Sequence, residues 1–239
     1  MVILAAAVAA GLLCLLVPTL VGVLPEPEPR PLKEGQEPEP PKELYTDLAR
    51  RPRLRLWSVL TGLVAGALLA WGIGAHDWWL WVWVALVPVG VALGYIDLHT
   101  RLLPTRLVLP ANFAVVVIGL VGWAVTGEAG DVLRALLGLI IGRSIYWLLW
   151  FIHSAGMGFG DVRLAALLGF SLAYLGWGEF AIGMYAGFLI FGLPGLVLAL
   201  IRWDRTMLKT AFPFGPFMLI GSVVGVLIGP WGWDRLVGG

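Results

Sequence analysis

The stretch WLWVWVALVPVGVALGYI, residues 79–96, decides the fold class of this chain. It carries no charged side chain and approaches the ~20 residues that a helix needs to cross the hydrocarbon core of a bilayer. Seven further apolar stretches, of which 162–176 is the shortest, are found at residues 2–24, 57–75, 107–125, 132–152, 162–176, 180–201 and 215–232. The sequence therefore predicts an all-α membrane protein, a polytopic bundle of about eight transmembrane helices.

The composition of the 239 residues points to the same solvent. Hydrophobic residues make up 59% of the chain, the mean hydropathy is +0.90, and only 13% of residues are charged, against about 25% in soluble domains. This composition excludes a soluble enzyme, a disordered protein and a secreted disulfide scaffold. The net charge of +1 gives no reason to expect nucleic acid as a partner. Cys14 is the single cysteine, so no thiolate metal site and no cofactor are expected.

We predict three regions along the chain. Residues 1–24 form the first transmembrane helix, residues 25–56 a Pro/Glu-rich linker, and residues 57–239 a seven-helix bundle. The linker contains the runs PEPEP and EPEPP, which are typical of an extended, semi-rigid spacer. A cleaved signal peptide is the alternative for the first helix, but residues 1–24 contain no lysine or arginine, which favours a retained helix.

Lysine and arginine counts in the loops predict the orientation. With the N-terminus outside, 13 basic residues fall on the inner side, two fall on the outer side, and Arg143 lies within a helix. This bias predicts a multi-pass protein of the inner (plasma) membrane with the linker in the cytoplasm. It also supports a short helix at 162–176, because without that helix three basic residues after residue 201 would lie outside.

Two aspartates stand at ends of predicted helices. Asp97 follows the stretch 79–96 directly, and Asp161 opens the sixth helix after the run GMGFG at 156–160. The predicted topology places both carboxyl groups at the cytoplasmic face and at similar depth. Charged side chains at membrane depth are costly and mark functional sites, and two carboxyl groups brought close together share a proton. One is then a base for a water molecule and the other an acid for a carbonyl oxygen.

Each aspartate also has an ordinary explanation. Asp97 could pair with Arg101 or His99, and Asp161 could cap the N-terminus of its helix, a position that aspartate favours. The glycines before Asp161 favour the functional interpretation, since a cap does not need a flexible backbone approach.

Three segments resemble one known family. The run GFGD at 158–161 matches the GxGD signature of membrane aspartic proteases. The longer segments IDLHTRLLPTRLVLP at 96–110, GMGFGDVRLAALLG at 156–169 and AFPFGPF at 211–217 resemble the type IV leader peptidases, or prepilin peptidases, in the family's order. The resemblance covers about half of the chain. It implies that Asp97 and Asp161 are the catalytic pair.

The resemblance also implies an activity. The chain would be a membrane-embedded aspartic endopeptidase that removes the leader peptide of type IV prepilin-like precursors at the cytoplasmic face by water attack. Its partners would be these precursors and membrane lipid. The matching segments imply a supporting catalytic loop formed by Gly158, Gly160 and Arg163. They also imply substrate contacts from Arg101, Pro213, Phe214 and Gly215. Acidic groups, either Asp204 or those of the linker, are the expected contacts for a basic leader.

One departure from the family concerns the region between the first two helices. Many members carry a cytoplasmic domain with paired CxxC motifs there and also N-methylate the new pilin terminus. This chain has the linker 25–56 in that place and no cysteine other than Cys14. The departure excludes that zinc site and argues against methyl transfer.

Two other functions remain as alternatives. A presenilin-like intramembrane protease would carry a Tyr-Asp motif, whereas Ile96 separates Tyr95 from Asp97 here. A proton-coupled transporter would use the same two aspartates as a proton relay and would show paired helix repeats, which the sequence lacks.

Overall fold

The computed structural model describes residues 1–27, 42–74, 77–152, 157–202 and 213–237, and within residues 193–202 and 236–237 it describes the backbone alone. The regular elements within these ranges are helical. Their bounds are α1 Val2–Leu13, a 3-10 turn Cys14–Leu16, α2 Val17–Gly22, α3 Tyr45–Ala49, α4 Leu54–Ile73, α5 Trp79–Thr100, α6 Thr105–Thr126, α7 Ala129–Ile152, α8 Phe159–Leu175, α9 Trp177–Arg202 and α10 Gly215–Val237.

The helices confirm the predicted all-α polytopic class. Within the described ranges, six helical segments are long and apolar enough to cross a membrane: Val2–Gly22, Leu54–Ile73, Trp79–Thr100, Thr105–Thr126, Ala129–Ile152 and Gly215–Arg235. The shorter apolar helix Trp177–Gly192 belongs to α9. Helix α8 has only 17 residues, as the short stretch 162–176 predicted.

Two helices are longer than predicted at the ends that carry the aspartates. Helix α5 continues past Asp97 to Thr100, and α8 begins at Phe159 instead of residue 162. Both aspartates therefore lie within helices. The cause is that each carboxyl group is buried and accepts a backbone hydrogen bond, so neither needs to be in a solvated loop.

Helix α8 forms the centre of the bundle. Every residue from Asp161 to Tyr174 except Arg163 is buried, and α8 packs against α6, α7, α9 and α10. A helix that is apolar on all sides is stable only when it is enclosed. Because protein instead of lipid surrounds α8, its shortness requires no thinning of the bilayer.

Small residues set the distances between packed helices. A Cβ on Gly138 of α7 would lie 2.7 Å from the backbone oxygen of Gly169 in α8, so the two backbones are in direct contact. Similar close approaches join α4 to α1 at Gly62 and Gly66, as expected for glycines spaced four apart. Gly90 and Gly94 of α5 have the same spacing, but their nearest neighbour is the flexible side chain of Leu219.

Arg134 of α7 donates hydrogen bonds to the C-terminal end of α8. Its Nε donates a hydrogen bond to the carbonyl oxygen of Ala173 at 2.5 Å, and its Nη2 donates to those of Tyr174 at 2.5 Å and Leu175 at 3.2 Å. The same guanidinium forms an ion pair with Asp131 at 2.8 Å. The last carbonyl groups of a helix have no partner within the helix, so Arg134 supplies the missing donors.

We expect Arg134→Leu to lower the free energy of unfolding by about 2–4 kcal/mol, because it leaves three helix-end carbonyl groups without their charged donor. The measurement is denaturant unfolding in detergent micelles. Arg235→Leu is the matched control, since Arg235 is exposed and stacks only on the exposed ring of Trp231. Equal losses for the two variants would contradict the capping role of Arg134.

Hydrogen bonds join the two described ends of the predicted linker. The carboxylate of Glu26 accepts hydrogen bonds from the backbone N–H groups of Tyr45 at 2.7 Å and Thr46 at 3.0 Å, at the start of α3. Burial alone would raise the pKa of Glu26, but these donors outweigh it and hold the pKa below its ordinary value. The bond therefore weakens only when the pH falls through that lowered pKa. The predicted extended spacer at residues 28–41 lies outside the described residues.

Candidate active site

Asp97 lies in the last turn of α5, with 4% of its surface exposed. Its Oδ2 accepts a hydrogen bond from the backbone N–H of Gly215, the first residue of α10, at 2.9 Å. Helix α5 ends at Arg101, which adopts left-handed backbone angles with φ 54° and donates its N–H to the carbonyl oxygen of Asp97 at 2.8 Å. The end of α5 and the start of α10 are thus joined through the Asp97 carboxyl group.

Asp161 is the third residue of α8, and 6% of its surface is exposed. Its Oδ2 accepts the backbone N–H of Gly158, the N-cap residue of α8, at 3.0 Å, which is the second half of a capping box. The ordinary interpretation of Asp161 as the N-cap is therefore wrong, because the helix begins two residues before Asp161. This hydrogen bond uses only one of the two carboxyl oxygens, so it leaves the other for chemistry.

The loop between α5 and α6 brings the two aspartate segments together. A Cβ on Gly160 would lie 2.7 Å from the Cβ of Leu103, and a Cβ on Gly215 would lie 3.3 Å from Leu103 Cδ2. Leu103 thus packs against the glycines beside both carboxyl groups. Asp97 and Asp161 lie within electrostatic range of each other at one end of the bundle, here called the aspartate end. Among the described residues, Oδ1 of each carboxyl group has no hydrogen-bond donor.

Arg163 anchors the start of α8. Its Nη1 donates to the hydroxyl of Thr105, and its guanidinium carbon lies 4.9 Å from the ring centre of Phe159. Its backbone oxygen accepts a hydrogen bond from Asn112 Nδ2 of α6 at 3.1 Å. These contacts position the helix that carries Asp161, and they leave the guanidinium directed to Thr105 and Phe159.

The predicted substrate contacts fall into two groups. Phe214 is buried, with its ring centre 5.1 Å from that of Phe188 and 5.2 Å from that of Phe191, so it holds the start of α10 in the core. Pro213 is half-buried beside it. The Arg101 side chain is exposed and within electrostatic range of Asp97.

The ordinary pairing of Asp97 with His99 does not form in the described structure. His99 Nδ1 lies 2.8 Å from the carbonyl oxygen of Tyr95, and its ring packs against the Tyr95 ring. Both contacts of the imidazole are thus with Tyr95, one turn earlier in α5. It makes no described contact with the carboxyl group.

Two residues near the aspartates were missed by the sequence reasoning. Tyr146 of α7 is 1% exposed and lies within electrostatic range of Asp161, while its hydroxyl donates to the carbonyl oxygen of Met184 at 3.4 Å. Lys42 lies within electrostatic range of Asp97. Tyr146 stands in an aromatic stretch that predicts only a membrane interface, and Lys42 lies within the predicted linker, so neither carried a signal.

Several predicted residues lie outside the described part of the chain. They are Gly156, Asp204, the segment 211–212 and the acidic residues at 28–41. In the described ranges, no group of three or more His, Cys, Asp or Glu side chains is arranged to hold a metal ion.

The arrangement fits general acid–base chemistry. Two carboxyl groups in a low-dielectric interior disfavour a doubly ionised state, which makes a shared proton the stable form. One backbone N–H orients each group, and one oxygen of each is left to bind a water molecule or a carbonyl group. Such a site can hydrolyse a peptide bond without a covalent intermediate.

Comparison with known proteins places the chain among membrane peptidases. A model of the type IV leader peptidase family matches residues 84–229. The prepilin leader peptidase/N-methyltransferase of Aeromonas hydrophila is 33% identical over 186 residues, which are 77% of this chain and 59% of the relative. Those of Pseudomonas putida and Neisseria gonorrhoeae are 32% identical over 185 residues and 31% over 178. These matches cover 77% and 71% of this chain, and 59% and 56% of the relatives.

The chain thus spans about three-fifths of the length of the curated relatives that it matches. No solved structure matches it significantly. The segment matched by the family model contains both Asp97 and Asp161.

Proposed function

The chain belongs to the type IV leader peptidase family, and from this premise we propose that it is an aspartic endopeptidase that removes the leader peptide of type IV prepilin-like precursors. The observation that supports this most directly is the pair of buried carboxyl groups at one end of the bundle. Asp97 is held by the N–H of Gly215, and Asp161 by that of Gly158.

In the proposed mechanism, one carboxyl group is ionised and the other is protonated. The ionised group takes a proton from a bound water molecule, whose oxygen attacks the carbonyl carbon of the scissile peptide bond, while the protonated group donates its proton to the carbonyl oxygen. A neutral tetrahedral intermediate forms. Its collapse transfers one proton back to the carboxylate and one to the departing nitrogen, so the pair returns to its initial state.

We place the aspartate end at the cytoplasmic face of the inner membrane. Arg101, Arg106 and Arg163 belong to the segments around the two aspartates, and basic residues favour the cytoplasmic side. A pilin-like precursor presents its basic leader at that face, directly ahead of its apolar helix. Cleavage there separates the leader from the part that stays in the membrane.

The proposal extends to leader hydrolysis and not to methyl transfer. The names of the relatives carry both activities. The single cysteine of the chain, Cys14, lies buried in the bundle. A CxxC zinc site of the kind expected between the first two helices therefore has no ligands in this sequence.

The experiment that tests the function is coexpression of the chain with a prepilin-like precursor, followed by N-terminal analysis of the product. Loss of the leader at the boundary with the apolar helix supports the proposal. If precursors from several pilin-like systems stay uncleaved while proton-coupled uptake is measurable in vesicles, the transporter alternative replaces it.

We expect Gly215→Ala to slow leader cleavage by about 100-fold while the protein still folds. The added Cβ would lie 2.9 Å from Asp97 Oδ2, which can move because it is the end of a side chain. A carboxyl group that is displaced by up to about 1 Å loses its alignment with water and substrate. The measurement is the cleavage rate of purified protein.

Gly130→Ala is the matched control for this substitution, because within the described residues no atom beyond its own helix backbone lies within 4 Å of a Cβ at Gly130. We expect its cleavage rate to equal that of the wild type. An unchanged rate for Gly215→Ala would contradict the role of the Gly215 contact in positioning Asp97.

A further inference from the structure

A groove runs along the side of the bundle between α4, α5 and α10, with part of α8 at its base. It encloses about 580 Å³, and we call it the lateral groove. It extends from Arg51 and Arg53 at the aspartate end to Leu69 and Trp83, and its walls are almost entirely apolar. Exposed side chains along its length, among them Leu98 and Ile220, show that it opens on the surface that faces lipid.

One end of the lateral groove is polar and positively charged. Arg51 and Arg53 both line it. Arg51 already forms an ion pair with Glu43 at 2.7 Å, whereas Arg53 is exposed and has no ion pair within the described ranges. A net positive charge therefore stands at the mouth of an apolar cleft.

A buried hydroxyl group lies just inside this mouth. Ser58 lines the groove, is 1% exposed, and its Oγ has no hydrogen-bond partner among the described residues. An unpaired buried hydroxyl is unfavourable, so a ligand that supplies an acceptor here is stabilised by the new hydrogen bond. Ser58 follows Arg53 by five residues, a rise of about 7.5 Å along the helix.

The apolar wall of the groove is long and opens towards lipid. From Leu54 to Leu69 the wall formed by α4 rises about 22 Å, at about 1.5 Å for each residue. An apolar cleft of this length suits an extended hydrocarbon chain. The positive charge at its mouth favours an anionic headgroup and disfavours a basic leader.

We propose that the lateral groove binds an acyl chain of an anionic phospholipid. The phosphate lies between Arg51 and Arg53, the ester carbonyl below it accepts the Ser58 hydroxyl, and the acyl chain follows the apolar wall towards Leu69. Charge complementarity selects the headgroup, and the apolar wall accommodates the chain.

A second unpartnered donor, Trp83 Nε1, lies at the far end of the groove. Trp83 is in the second turn of α5, at the level of the opposite membrane interface, where indole N–H groups meet headgroups and water. It is therefore distinct from the polar end and takes no part in binding the phosphate.

The test uses the full chain in detergent micelles that contain equal amounts of palmitoyl-oleoyl phosphatidylglycerol and palmitoyl-oleoyl phosphatidylcholine. Native mass spectrometry then measures the lipid retained by each protein. We expect the wild type to retain phosphatidylglycerol preferentially. Arg53→Gln should reduce that preference about fivefold, the contribution of one basic residue beside an anionic headgroup.

Two further variants separate headgroup from chain. Ser58→Ala should lower the retention of both lipids equally, because both carry the same ester. Ala65→Phe should do so as well, since Ala65 lines the middle of the groove and the added ring fills it. Arg55→Gln is the matched control, because Arg55 is exposed on the same helix but does not line the groove.

Equal retention of the two lipids by the wild type would overturn the proposal, and so would equal effects of Arg55→Gln and Arg53→Gln. A photo-crosslinker at Ala65 gives the remaining outcome. If it captures the apolar helix of a prepilin-like precursor in place of lipid, the groove belongs to the substrate and the proposal is wrong. None of these readouts depends on peptide cleavage.

Discussion

Replacing Asp97 or Asp161 by asparagine should reduce leader cleavage by at least about 1,000-fold, the largest effect on activity that we expect from any single substitution. Asparagine keeps the shape of the side chain, and its carbonyl oxygen can still accept the N–H of Gly215 or Gly158. The fold is therefore preserved, while the proton that the pair shares is lost. The measurement is conversion of a coexpressed prepilin-like precursor.

Asp131→Asn provides the control for this pair. Asp131 is half-exposed at the opposite end of the bundle, where it pairs with Arg134, so its neutralisation should leave the cleavage rate unchanged. The free energy of unfolding of both aspartate variants should equal that of the wild type to within about 1 kcal/mol. A variant at Asp97 or Asp161 that retains a tenth of the wild-type rate would show that another group performs the chemistry.

Gly138→Leu should have the largest effect on stability, at least about 3 kcal/mol. A Cβ at this position overlaps the Cβ of Ala173 and lies 2.7 Å from the backbone oxygen of Gly169. A backbone atom cannot rotate away, so α7 and α8 must separate. Because α8 carries Asp161, we expect the variant to lose cleavage activity along with its fold. The measurement is the yield of folded protein and its unfolding in detergent.

The same substitution at Gly130 separates packing from composition. Gly130 also lies in α7, and in the part of the chain that the structure describes no atom beyond the neighbouring helix backbone comes within 4 Å of a Cβ placed there. Gly130→Leu should therefore fold and cleave as the wild type does. If both variants lose stability equally, the cause is the added apolar surface and the close contact of α7 with α8 is not essential.

The course of the chain through the membrane could be predicted because each spanning helix is a local pattern. Apolar length alone located all of the long helices. Several glycines spaced four apart do lie at close helix contacts, such as those of α7 with α8 and of α9 with α10, but their spacing does not tell which helix is the partner. The helix ends were less accurate. Asp97 lies inside α5 because burial and the Gly215 contact replace the solvation that its charge suggested.

The features that could not be predicted depend on residues far apart in the sequence. Arg134 is one of the two basic residues assigned to the outer side, and nothing near it in the sequence indicates that it caps a helix about 40 residues later in the chain. The contact between Asp97 and Gly215 spans 118 residues. The lateral groove requires α10, which lies far from α4 and α5 in the sequence, so no local pattern indicates it.

The resemblance of three short segments to a family located the candidate site more sharply than physical reasoning alone. The contact with the N-cap residue Gly158 explains the position of Asp161, and the second carboxyl group in its vicinity is what favours a further role. The spatial proximity of Asp97 and Asp161 is what makes the shared proton of the proposed mechanism physically reasonable.

In the proposed mechanism Asp97 and Asp161 act as one catalytic unit. A double-mutant cycle tests this most directly. Cleavage of a peptide that contains a leader and its apolar segment is measured under single-turnover conditions for the wild type, Asp97→Asn, Asp161→Asn and the double variant. Residues that act as a unit have non-additive effects. If the two aspartates share one proton, we expect the double variant to be as slow as each single variant, to within about threefold. A double variant slowed by the product of the two single effects would contradict the shared dyad.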